Sequence, residues 1–362
     1  MVRSRVSLIS GDDRHANITA ALEAIAADVK LLDAGPILIK PNLVGLGCPQ
    51  GTTHVDAVRA VVEWLRARTD LPIVVGEGTA LSSTWGAFEE YGYLSLPDEY
   101  PNLRLMDLNA DQAVDLSAYS WRLRPMSLKA SQMVTESRFR VSVALPKTHD
   151  TVLVTLSLKN MVMGGLISQL STADRASGRS HTSLGGRVFQ LGEALYMALP
   201  DWLRHSPLVM QGKELTMARV TPSSKAAMHQ GFAAMHLNLF TMAPHFHPHL
   251  AVIDGFQAME GNGPQDGDVV TWRMAVASTD WLAADATTAR LMGFQLEEVG
   301  YMLYCAQAGY GAADPAHIEI VGNAQAAQLA HRFKRHDLGK LQHRWKSTAV
   351  SRHLQEALAI MD

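Results

Sequence analysis

Short β-branched runs separated by longer helical patterns recur through the first half of the chain, with little linker between them. That alternation restricts the fold to βαβ units on a mainly parallel sheet. Parallel neighbours need a long crossover, and a helix is the usual one. VSLIS (6–10), PILIK (36–40), IVVGEG (73–78), LRLMDL (103–108) and RVSVALP (140–146) read as buried strands. Helical patterns fill 16–31, 54–67 and 83–91, and in the second Val55, Val58, Val61, Val62 and Leu65 form one apolar stripe.

The middle breaks the rhythm. Residues 168–187 lack periodicity and are rich in Ser, Thr, Gly and Arg; a loop of that length suits a lid, with Arg175 and Arg179 reaching over a site. Helical patterns follow at 188–203 and 225–242, then strands at 250–254 and 270–278, helices at 280–292 and 296–308, and a strand at 318–322. A C-terminal helix is expected over 338–361, packed on its own body in preference to a second copy, so a homo-oligomer stays open. The expected fold is α/β, a mainly parallel sheet flanked by helices in two lobes. Residues 1–167 form the N-terminal lobe, 168–187 the lid and 188–362 the C-terminal lobe.

Composition bounds the function. A net charge of −3 without a dense Lys/Arg block argues against nucleic acid. No run of about 20 apolar residues occurs, and the N-terminus has no signal-peptide pattern, so no membrane partner and a cytoplasmic location are expected. Two distant cysteines, Cys48 and Cys305, cannot ligate an iron–sulfur cluster within one chain.

Polar residues that end buried strands face the ligand crevice of such folds. Lys40 closes PILIK, with Asn42 beyond it and a Gly-rich loop leading to Thr53 and His54. Thr53 and Asp56 have capping-box spacing, so a helix is expected to start there and favour an anion at its N-terminus. Lys147, Thr148, His149 and Asp150 repeat the arrangement after RVSVALP, and Lys159 and Asn160 interrupt an apolar helical run over 151–165. Glu77 ends IVVGEG and is either an acid/base or the counter-ion of Lys40 or Lys147. Asp254 and Glu260, in a strand end and a Gly-rich turn, suit a divalent cation or acid/base work. Asp280 reads as a helix cap, whereas Asp285 lies among alanines inside that helix. His229 and His236 fall seven apart on an expected helix. His245, His247 and His249 read as a loop before a strand. The Gly-rich loops match no dinucleotide or Walker fingerprint.

The joint order of LIKPN, GTTH, GEG, LPKTHDTVLVTLSLKNMVMG, VIDGFQAMEGNGPQDG and STDWLAADATTARLMG resembles the family named domain of unknown function 362, over roughly 5–310. Positions matching its motifs are Lys40, Asn42, Thr53, His54, Glu77, Lys147, His149, Lys159, Asn160, Asp254, Glu260, Asn262, Asp280 and Asp285. The resemblance implies no residue roles. Some relatives are joined to iron–sulfur modules, an association that this chain lacks the cysteines to share. A fainter likeness in layout to the N-terminal lobe of nickel-pincer lactate racemases carries no residue across.

The leading expectation is an enzyme acting on a small anionic metabolite, a carboxylate or phosphate, with the reaction undefined. Lys40, Asn42, Thr53, Lys147, Lys159 and Asn160 would bind it, and His54, His149, Glu77, Asp254 and Glu260 would supply acid/base groups. The cofactor is unknown; Asp254, Glu260 and His149 are the candidate ligands if a divalent metal takes part. The alternatives are a metal- or metallocofactor-dependent redox or isomerase protein and a non-enzymatic metabolite-binding module.

Overall fold

The computed structural model describes residues 3–80, 82–168, 209, 223–346 and 350–354. A ten-stranded sheet forms its middle layer, with main-path order β12-β1-β11-β10-β7-β2-β3-β4. The strands are β1 (Ser4–Ser10), β2 (Ile37–Lys40), β3 (Ile73–Glu77), β4 (Leu103–Asp107), β7 (Phe139–Ala144), β10 (Leu250–Asn262), β11 (Asp266–Ser278) and β12 (Ile318–Val321). Along this path pairing is parallel except for β11, which runs antiparallel to both β1 and β10. Strands from before and after the 168–187 segment therefore share one sheet. The chain is a mixed α/β protein with a mostly parallel sheet between helices.

Strand alternation divides the core into two apolar layers. Ile37, Ile39, Val141 and Val252 pack with α1 (Arg14–Ala24) and α2 (Val55–Arg66) on one face. Leu38, Val74, Ala251 and Ile253 pack on the other face beneath α6 (Ser157–Gly165), α8 (Phe232–Phe246), α9 (Trp281–Leu291) and α10 (Gly300–Gln307). Both faces of the inner strands are covered, which is why they read as unbroken apolar runs.

Several elements differ from the sequence expectation. A second sheet, β5 (Ala113–Tyr119) with β6 (Pro125–Ser131), has no counterpart in it, although Leu116, Ala118, Leu128 and Ala130 alternate inward. The expected helix over 151–165 begins only at Ser157: β8 (Lys147–His149) turns back on β9 (Leu153–Thr155), with Leu153 in the left-handed region at φ 68°. The expected helix over 225–242 is two helices, α7 (Ser224–Met228) and α8, because Gly231 at φ 89° breaks the run. His229 and His236 consequently belong to different elements. The strand expected to end at Asp254 runs on to Asn262 through a bulge between Gly255 and Gln257, and the Gly-rich turn follows at 263–265. The first helix stops at Ala24 rather than at residue 31.

In place of a continuous 338–361 helix, the described part shows a single turn at Gly339–Gln342, a 3-10 turn at His343–Trp345 and helical residues at 350–354. Trp345 packs on Gly300 and donates its indole N–H to Glu298 O at 2.8 Å. The lid and the helix over 188–203 lie outside the described residues, apart from Ser168, and so does the end of the C-terminal segment. No helix among the described residues is long and apolar enough to cross a membrane.

Candidate functional site

Lys40 and Glu77 end adjacent parallel strands, β2 and β3, so their side chains meet at the carboxyl edge of the sheet. Lys40 is fully buried and donates to Glu77 Oε1 (2.8 Å), Pro41 O (2.7 Å) and Asn160 Oδ1 (3.0 Å). Burial pulls its pKa down, and Glu77 works against that. Glu77 also accepts the backbone N–H groups of Leu43 (2.7 Å) and Gly78 (2.8 Å). Every donor of Lys40 and both oxygens of Glu77 are thus engaged, and of the two sequence alternatives the structure makes Glu77 the counter-ion of Lys40. Helix α6 sits on this pair only because residue 164 is glycine. A Cβ there would overlap the Lys40 Cε and Nζ atoms.

Asn160 ties the pair to its surroundings. Its amide donates to Lys40 O (3.2 Å) and Ser142 Oγ (2.9 Å), and its Oδ1 also accepts from Asn42 Nδ2 (3.3 Å). Asn42 Oδ1 in turn accepts from Lys147 Nζ at 2.5 Å, and Gly51 O accepts from the same ammonium at 2.8 Å. One hydrogen-bonded chain therefore runs Glu77–Lys40–Asn160–Asn42–Lys147, linking residues that are up to 120 positions apart. Thr53 belongs to its frame: Thr53 Oγ1 accepts Asn42 N–H and donates to Val143 O. The helix cap is one residue later than expected, because Thr53 is occupied and His54 Nδ1 takes Asp56 N–H instead.

Beyond Lys147 lies a group with fewer partners. Lys159 is 5% exposed and makes no hydrogen bond among the described residues. Burial lowers it to about 8 despite Asp150. Lys147 falls to about 7, first through burial and then through Lys159. His149, on the strand with Lys147, is pushed to about 3 by burial and by Lys159, so its ring is neutral. His149 Nδ1 accepts Thr151 N–H at 3.0 Å, which leaves the ring proton on Nε2, while Asp150 Oδ1 lies 2.9 Å from the same Nδ1. A proton moved to Nδ1 would exchange the Thr151 partner for the carboxylate. His229 stacks near His149 with ring centres 6.2 Å apart. Cys48 lies close enough to Lys147 for that ammonium to oppose the upward push of burial on its thiol.

Helix α6, which carries Lys159 and Asn160, is held at both ends. Asp285 of α9 accepts Ser157 N–H, Ser157 O–H and Leu158 N–H, while Lys225 of α7 donates to Met163 O and Gly164 O. A carboxylate at the N-terminus and an ammonium at the C-terminus both complement the helix dipole. Lys159, in the first turn, does the reverse, and its charge has an unfavourable position as well as a dry one.

The remaining sequence candidates lie elsewhere. Asp254 shares the parity of Leu250 and Val252 and leaves the sheet on the α1–α2 side. Arg14 Nε is 3.1 Å from its Oδ2 and 3.3 Å from its Oδ1, donating to the latter. Burial raises the carboxyl, and Arg14 opposes that. His54 is about half exposed, and its pKa is lowered by burial and by Arg14. Glu260 accepts Lys334 N–H at 2.9 Å near His331, and Asn262 bonds Asp337. No hydrogen bond joins Asp254, Glu260 or His54 to the Lys147 group. Among the described residues, no three His, Cys, Asp or Glu side chains are placed to hold a metal. Asp280 caps α9 through Ala283 N–H. The adjoining histidines are spread over the end of α8 (His245), its cap (His247) and the residue before β10 (His249).

Residues 37–290 match the family profile described as Domain of unknown function (DUF362). The chain belongs to that family. The match spans every residue of the Lys40–Lys147–Lys159 group and ends within α9, whose Asp285 caps the central helix of the site. No curated protein matches the chain.

The buried histidines give a pH prediction. His149 and His236 both titrate near 3 when folded, against 6.5 for a free ring, and burial is the main cause. Their folded values are lowered, so the stability they contribute is complete above about 6.5 and is lost as pH falls toward 3. From pH 7 to pH 5 each ring costs about 2 kcal/mol. Asp285, raised to about 7 by burial, acts in the opposite sense over that interval. In His236→Gln the amide can still accept Tyr301 N–H, as the ring does. Urea unfolding of this variant at the two pH values is expected to show an acid loss about 2 kcal/mol smaller than wild type. An unchanged loss would mean that His236 is protonated inside the fold.

Proposed function

We propose that the protein is an enzyme acting on a small anionic metabolite held by Lys147 and Lys159 beside His149. The carrying observation is Lys159, an almost wholly buried side chain whose amine has no hydrogen-bond partner among the described residues. Buried charges are normally paired, and an unpaired one costs several kcal/mol. Among the described residues Lys40 and Glu77 cancel, and Asp150 is the carboxylate that acts on Lys159. The arrangement supports a ligand that brings negative charge.

In this reading Lys40, Glu77, Asn42 and Asn160 position Lys147 and do not themselves touch the anion. Thr53 holds Asn42 in place. His149, kept neutral, offers an Nε2–H to a developing oxyanion. The lysines, titrating near neutrality, are the groups that exchange protons at working pH. This departs from the sequence expectation, which gave proton transfer to the histidines and carboxylates.

Thermal unfolding with oxalate, malate, pyruvate and inorganic phosphate, alongside neutral amides, tests the reading. At least one anion is expected to raise the midpoint, by an amount equivalent to about 2.7 kcal/mol at a hundredfold excess over Kd. Neutral analogues should do nothing, and Lys159→Met should abolish the effect. A shift that survives in Lys159→Met, or none with any anion, contradicts the proposal.

A further inference from the structure

We infer that Lys159 is the amine of an imine-forming site, and that the anion is a small 2-oxo acid. The inference rests on the anion reading and deepens it.

The two lysines of the site are not equivalent. Lys147 Nζ has two fixed acceptors, Asn42 Oδ1 and Gly51 O, which suit a protonated ammonium and leave it one N–H to spare. Lys159 has no acceptor among the described residues, although its side chain is also largely buried. An ammonium carries three donors that all need partners, whereas a neutral amine can leave its lone pair free at much smaller cost. Placing a second positive charge beside Lys147, in the first turn of α6, is unfavourable for both reasons given above. These contacts assign the neutral amine to Lys159, since the Lys147 ammonium keeps two fixed acceptors; burial brings both lysines toward neutrality, Lys159 to about 8 and Lys147 to about 7. A desolvated lysine next to another cation is the arrangement that makes an amine nucleophilic toward carbonyls near neutral pH.

The neighbours complete the requirements. The spare N–H of Lys147 can hold a carboxylate while the adjacent carbonyl carbon meets Lys159. The Lys159 lone pair attacks that carbon, and the carbonyl oxygen takes up a proton to give a carbinolamine. Its C–O bond then breaks, the oxygen leaves as water after a second protonation, and the nitrogen lone pair forms the C=N bond. Loss of both amine protons balances the sum: amine plus carbonyl gives imine plus water, with no oxidant or reductant. The protons that the amine gives up pass to the leaving oxygen through Lys147, which titrates near neutrality, while His149 stays neutral and only donates a hydrogen bond from Nε2–H to that oxygen as charge develops on it.

Reductive trapping of the full-length protein tests this. The protein is incubated with pyruvate and sodium cyanoborohydride and digested, and the Lys159 peptide is examined by mass spectrometry. The expected product is that peptide enlarged by one pyruvic acid less one oxygen, at least tenfold above any surface lysine. Lys159→Arg keeps a cation but has no nucleophilic amine. It should give no adduct at residue 159 and should retain a midpoint shift with pyruvate. Lys147→Gln should still form the adduct but need a higher pyruvate concentration. Pyruvate that raises the midpoint without any adduct at Lys159 overturns the imine and leaves the anion reading standing. Trapping equally spread over surface lysines overturns it too, as does a midpoint that responds to phosphate or oxalate and not to pyruvate. If no anion moves the midpoint, both fall.

Discussion

Lys40→Met is expected to lower the free energy of unfolding by about 3–5 kcal/mol, as for other buried ion pairs that lose one partner. The side chain is fully buried and its three donors are all used. Removing it strands the Glu77 carboxylate with only the N–H groups of Leu43 and Gly78, and frees Asn160 Oδ1 from its nearest partner. The loss belongs to the orphaned charge more than to the missing attraction. Neutralising that charge as well should therefore restore much of it. Lys40→Met combined with Glu77→Gln is expected to be at least 1–2 kcal/mol more stable than Lys40→Met alone, about the worth of one avoided buried charge. Urea denaturation of the two single variants and the double variant measures this coupling. A double variant as unstable as the sum of the singles would show that Lys40 and Glu77 do not form one unit.

Lys159→Met should behave in the opposite way, gaining stability while losing function. Its amine has no acceptor to leave stranded, and a methionine fills a similar volume without a charge. Removing this largely buried amine, whose charged form opposes the helix dipole, is expected to stabilise the fold by about 1–3 kcal/mol. Anion binding should fall at least tenfold, equivalent to about 1.4 kcal/mol or more. Few substitutions stabilise a protein by emptying its site, and the combination marks a residue retained for chemistry at a cost in stability. Were Lys159 a structural lysine, the substitution would destabilise and leave ligand response alone.

The polar edge of the sheet was legible because a lysine or glutamate closing a wholly apolar run has nowhere to go but the strand end. Lys40, Glu77 and Lys147 declare themselves in that way. Their partners were not legible, since Lys40 meets Asn160 from 120 positions away and Lys147 meets Asn42 from 105. Local pattern carries no information about which strand ends become neighbours. The helical reading of 151–165 failed for a related reason: a continuous apolar run suits a strand and a helix equally. What sets the start of α6 is the Asp285 carboxylate, 128 residues further on. The β5–β6 hairpin went unread because its inward positions include small residues, Ala118 and Ala130, that leave only a weak alternation. The turn signal of Gly263 and Pro264 is real, but Glu260 belongs to the strand before it, because β10 passes Asp254 through a bulge that leaves no mark in the local pattern.

The central claim is that Lys147 and Lys159 together receive an anion, and proton linkage tests it most directly. Calorimetric titration of the protein with pyruvate or oxalate near pH 8, repeated in buffers of different ionisation enthalpy, counts the protons exchanged on binding. An incoming anion raises the pKa of a lysine it touches, so oxalate binding is expected to take up protons, and the uptake should vanish in Lys159→Met. Binding with no proton exchange, unchanged in that variant, would place the anion elsewhere and contradict the account.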